Sequence, residues 1–155
     1  MFSFFEKNVE KRLLSDYLKG VGLSLNDLSP AISKQIIDIV HKQVCVVAKK
    51  FHEPAVTVSK NIVSSAAWGT IYCLLGPSRL LEMDSGFRDL IEEVEMELLM
   101  SDSERDAQHN IYQQVFAILL NSSHCHPEVK AVVERERWIS TQNETAANRR
   151  ISAMH

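Results

Sequence analysis

The chain has 155 residues, 45% hydrophobic and 24% charged, with a formal net charge of −3. That length suits one domain with a substantial core, and the composition excludes a chain too polar to fold. The charge balance gives general nucleic-acid binding no support, and five glycines with four prolines are too few for a turn-rich β fold.

Taken in chain order, the first predicted helix runs from about Ser3 to Lys19. Phe5, Val9, Leu13 and Tyr17 recur every four residues, with Phe2, Leu14 and Leu18 widening the stripe. Gly20 and Gly22 end it. Ser24 and Asp27 then stand at capping-box spacing. The second helix opens with Ser29 as N-cap and Pro30 at the first helical position. Ile32, Ile36, Val40, Val44, Val47 and Phe51 mark its apolar face. Many are β-branched, but the 3.6-residue pattern lasts too long for a strand.

His52-Glu53-Pro54 breaks the chain before a third helix, from about Pro54 to Leu75. It closes on Gly76-Pro77. No charge occurs from Asn61 to Ser78, and Ser65 and Gly69 form a small-xxx-small pair that lets two backbones approach. A helix apolar on all sides belongs in the middle of a bundle. Leu80 and Leu81 suggest a short helical turn. A fourth helix is predicted from Asp84 to about Met100 on Phe87, Leu90, Ile91, Val94 and Leu98. A fifth is predicted from Ser101 to Leu120 on Ala107, Ile111, Val115, Ile118 and Leu119, with Ser101 and Glu104 as a second capping box. The sixth starts at Pro127. The fold class expected is all-α: one bundle of about six helices over residues 1–139, around a small-residue central helix, with a polar C-terminal tail at 140–155 that is frayed or ordered by a partner.

Charge is uneven along this order. Residues 1–60 carry nine Lys/Arg against six Asp/Glu, a net of +3, whereas residues 61–110 carry three against ten, a net of −7. The acidic centre is the run Glu92, Glu93, Glu95 and Glu97, largely off the apolar stripe of its helix. Such a face is either solvated or a contact for a basic partner. Trp138, near the tail, is a candidate aromatic anchor.

The chemical candidates are sparse. Asp38-x-x-His41 and Asp106-x-x-His109 have the spacing at which helical bundles hold metal pairs, with fourth-helix glutamates available as further ligands. A helical wheel puts Asp38 roughly 140° and Asp106 roughly 180° from the apolar stripes of their helices. Both pairs are therefore expected to face solvent, and no metal site is assigned. His124-Cys125-His126 has no second Cys/His cluster to complete a tetrahedron and reads as the loop into the last helix. Cys45 and Cys73 fall in apolar stretches, so neither is expected beside a base. Three cysteines without a CxxC suit a reducing compartment. The N-terminus meets Glu6 before an apolar run can form, so no secretory signal is expected.

No nucleophile elbow, phosphate loop or cofactor fingerprint occurs, so no cofactor is expected and an enzyme is not indicated. The function expected is a small cytoplasmic interaction or regulatory module that presents its acidic helix face (Glu92, Glu93, Glu95, Glu97, with Trp138) to a protein partner. A homodimer is its alternative assembly, and neither nucleic acid nor membrane is an expected partner. The rival function is a metal-dependent hydrolase using Asp106, His109 and the fourth-helix glutamates. A third reading is apolar-ligand binding near Trp68 and Tyr72.

Overall fold

The computed structural model describes residues 2–99 and 111–153, with side chains described for 7–99, 111–136 and part of 142–150. Within them the chain is helical throughout and contains no strand. The helices are α1 (Phe2–Gly20), α2 (Pro30–Phe51), α3 (Ala55–Leu75), α4 (Pro77–Met83), α5 (Arg88–Leu99), α6 (Ile111–Leu119) and α7 (Pro127–Ala153). Short 3-10 turns at Leu25–Asp27 and Ser85–Phe87 lie before α2 and α5.

α3 is the centre. It packs against α1, α2, α4, α5 and α6, and Val63, Ala66, Ala67, Gly69, Thr70, Ile71, Tyr72 and Cys73 are all buried. Its buried serine and threonine hydroxyls do not oppose this. Thr70 Oγ1 donates to the Ala66 carbonyl and Ser59 Oγ to that of Ala55, both at 2.7 Å, so neither enters the core unpaired. Gly69 faces α6. A Cβ there would stand 3.5 Å from Tyr112 Cδ1 and Val115 Cγ1 and 3.8 Å from Phe116 Cε1, which is ordinary contact. Gly69→Ala is therefore expected to stabilise the domain by about 0.5–1 kcal/mol through helix propensity. A rise in the urea midpoint at constant slope would register it.

The joints follow the punctuation in the sequence. Ser29 caps α2 by accepting from the Ile32 N–H at 3.3 Å, with Pro30 next to it. Ser24 and Asp27 form a reciprocal capping box, here on a 3-10 turn. Asp84 caps the turn Ser85–Phe87 rather than α5 itself, accepting from the Gly86 N–H at 2.8 Å.

Leu80 and Leu81 lie in a short helical element of their own, as expected: α4. Three expectations change. On α1 the most deeply buried row is Glu10, Leu14 and Leu18, while Val9, Leu13 and Tyr17 are half-buried. Phe51, the predicted end of the α2 stripe, is 60% exposed. Finally, α7 continues through the polar segment 140–153 as helix. From Glu128 to Ala153 no Gly or Pro interrupts it, and Ala, Glu, Gln and Arg favour the helix. Among its described side chains, Val129 and Val133, near its start, enter the core.

Candidate functional site

α5 buries Ile91, Val94 and Leu98 and so turns Glu92 and Glu93 outward, as its 3.6-residue period requires. Glu92 and Glu93 are exposed, and Glu95 and Glu97 are half-buried. Glu95 is turned inward and accepts a hydrogen bond from the Tyr72 hydroxyl at 2.9 Å. Burial, then that bond and the carboxylate charge, push the Tyr72 phenol far above its usual range. The Glu97 backbone carbonyl accepts from Gln113 Nε2 on α6. The exposed residues of α5 are thus Arg88, Asp89, Glu92 and Glu93 with Met96, which is 65% exposed, and Leu99. Trp138 lies on α7, but its side chain is outside the described residues.

Next to the first turn of α5 is an apolar groove of about 410 Å³, lined by Leu13, Asp16, Tyr17, Gly20, Val21, Trp68 and Phe87. Three elements meet there: the C-terminal half of α1, the middle of α3 and the turn that ends at Phe87. The Trp68 ring is the floor. Tyr17 meets it edge-on at 6.4 Å between centroids, and Phe87 lies tilted against it at 5.6 Å. All three rings are half-buried, and Asp16 is the one charged residue of the lining. The sequence points to an apolar ligand near Trp68 and Tyr72; Trp68 lines the groove, whereas Tyr72 is 1% exposed and bonded to Glu95. Tyr17 and Phe87 were legible only as stripe residues of separate helices.

His124-Cys125-His126 is a structural joint. His124 Nε2 accepts from the Ser29 N–H at 3.1 Å, tying this loop to the start of α2. His126 Nδ1 accepts from the Glu128 N–H at 3.1 Å, which caps α7. The His126 N–H donates to the Cys73 carbonyl at 2.7 Å. The Cys73 and Cys125 thiols share a hydrogen bond. That bond, then burial, raises Cys73, and the same bond lowers Cys125.

Asp38 and His41 separate. Asp38 is on the surface as the wheel requires, 3.4 Å from Lys7 Nζ. His41 is not solvent-facing: its side chain is 12% exposed, and Nδ1 lies 3.2 and 3.3 Å from the two carboxylate oxygens of Glu10. The wheel misjudged it because α1, α3 and α6 all pack on α2, so the covered arc is wider than one stripe. Cys45, not expected to stand exposed beside a base, does so: it is exposed, and its Sγ lies 3.6 Å from His41 Nε2. Glu10 itself was missed. The available signal was its spacing, four residues before Leu14 and eight before Leu18.

Asp106 and His109 lie outside the described residues, as do Ser101, Glu104 and Ala107. Among the described residues, no group of three or more His, Cys, Asp or Glu side chains is placed to hold a metal ion, and no helix is long and apolar enough to cross a membrane. The chain matches no family model, no curated protein and no solved structure.

Proposed function

We propose that the chain is a helical protein-interaction module that receives an apolar anchor of its partner in the Trp68 groove and basic residues of the same partner on the outer face of α5. The observation that carries this reading is the groove: three half-buried aromatic rings around about 410 Å³. That volume is in the range of ligand pockets and accepts a large apolar side chain. Aromatic recesses of this kind concentrate binding energy at interfaces. The charge follows from the sequence. Asp16 sits in the groove, Glu92 and Glu93 stand exposed on the helix that begins at its edge, and residues 61–110 carry a net −7. Electrostatic complementarity of this sort sets specificity and association rate. A reducing, cytoplasmic setting remains the reading of the cysteines.

The experiment is capture from native lysate on the immobilised chain, followed by titration of the purified partner. Double reversal, Glu92→Lys with Glu93→Lys, is expected to weaken binding about tenfold, or about 1.4 kcal/mol, and to flatten its salt dependence. Both positions are exposed, so the unfolding midpoint is expected to hold. Trp68→Ala is expected to abolish capture. Retained affinity in both variants would remove this surface from the interaction.

A further inference from the structure

The groups at the α1–α2 contact form an ordered series that the interaction surface does not use. Glu10 is 1% exposed, and its carboxylate oxygens lie 3.2 and 3.3 Å from His41 Nδ1. Nε2 of the same ring lies 3.6 Å from Cys45 Sγ. A carboxylate at Nδ1 holds the ring proton on that nitrogen. The lone pair then sits on Nε2, aimed at the thiol. A nucleophile beside a base that a third group orients is the general signature of an activated side chain. Access has the right polarity as well: Cys45 is exposed, and His41 and Glu10 stand behind it.

We infer that Cys45 is a reactive thiol that exchanges with small anionic disulfides of the glutathione disulfide class, with His41 as its base and Glu10 as the positioning residue. The choice of disulfide over carbonyl substrates follows from the backbone. Cys45 lies inside α2, which runs from Pro30 to Phe51, so the N–H groups around it belong to the helix ladder. They offer no donors for the oxyanion that acyl transfer generates. Disulfide exchange develops charge only on sulfur and needs no such hole. The helix surface also suits an anion. Lys42 and Lys49 are exposed three residues before and four after Cys45, the spacings at which helical side chains are neighbours.

The disulfide itself is the oxidant: Cys45 is oxidised to a mixed disulfide and one glutathione leaves reduced. The Cys45 proton passes to His41 Nε2, and the thiolate attacks one sulfur of the disulfide. A Cys45–glutathionyl S–S bond forms as the original S–S bond breaks. The departing glutathione thiolate takes the proton back from Nε2. One disulfide is consumed and one is made.

The test is reaction of the purified chain with glutathione disulfide, followed by intact mass and by mapping of the modified peptide. The adduct is expected on Cys45, and Cys45→Ser is expected to remove it. His41→Gln is expected to slow it about tenfold at pH 7, since an ordinary thiol with pKa about 8.5 is only a few per cent thiolate there. Glu10→Gln is expected to fall between, and Glu10→Asp to recover part of the rate. The pH profile is the readout that a structural role would not move. Among the described residues, the charged groups at this α1–α2 contact include Glu10 and Lys7 from α1, and Asp38, His41, Lys42 and Lys49 on α2. Across the other packed faces, α3 brings Lys60, and α6 brings no charged residue within 111–119. The folded chain is expected to react at half its maximal rate at lower pH than the same chain in urea. Coincident folded and unfolded profiles would overturn the inference even if the variants fail to fold. So would an adduct confined to Cys125, or an unchanged rate in a folded His41→Gln.

Discussion

Gly76→Ala is expected to destabilise the domain by about 3 kcal/mol and to lower the unfolding temperature by about 10 °C. Gly76 joins α3 to α4 with φ 81° and ψ 157°, a region of backbone space that is essentially reserved for glycine. An L side chain there costs about 1–3 kcal/mol. The second contribution is steric. A Cβ would stand 3.1 Å from His126 Nδ1 and 3.2 Å from its Cγ. That ring cannot move aside without loss, because its Nδ1 accepts the Glu128 N–H that begins α7. The two contributions separate in a double-mutant cycle. Adding His126→Ala removes the clash and the cap but leaves the backbone strain. The double variant is therefore expected to be more stable than the sum of the single losses implies. Equilibrium denaturation reads all three. A single variant within about 0.5 kcal/mol of wild type would show that the α3–α4 joint relaxes without strain.

The same joint shows what the sequence carries and what it leaves out. Gly76-Pro77 is visible as a stop because a positive-φ residue followed by a proline cannot continue a helix. Ser29-Pro30 and Pro127 are visible for equally local reasons. The central place of α3 is legible from the absence of charge between Asn61 and Ser78. The site is less legible because its members come from separate helices. Tyr17, Trp68 and Phe87 each satisfy the periodicity of their own segment, and nothing local says that the three rings meet. The α2 face failed in a more instructive way. A single-stripe wheel assumes one buried side, but α1 covers the flank that carries His41. Meanwhile Cys45 and its neighbour Val46, which is 41% exposed, face out. A charged residue in a buried row, as with Glu10 before Leu14 and Leu18, is the one local sign that a polar partner waits on another helix.

Phe116→Ala is expected to cost about 3–5 kcal/mol, the largest loss from any single core truncation proposed for this chain. Phe116 is 1% exposed on α6, which packs against α2, α3 and α5. Its ring stacks on Tyr112 with 6.2 Å between centroids and 25° between planes. Truncation removes that contact and leaves a void that three helices cannot all close upon, so the cavity penalty adds to the lost transfer energy. Gly69 supplies an internal control. Its missing Cβ points to within 3.8 Å of Phe116 Cε1, so an added methyl borders the same void. Gly69→Ala is then expected to stabilise the truncated protein at least as much as it stabilises the wild type. Phe116→Leu, which keeps most of the volume, is expected to lose about 1–2 kcal/mol. Urea denaturation of the wild type and the four variants tests the packing directly. A loss in Phe116→Ala below about 1 kcal/mol would mean that α6 is not wedged against α3, and the arrangement of the core would have to be redrawn.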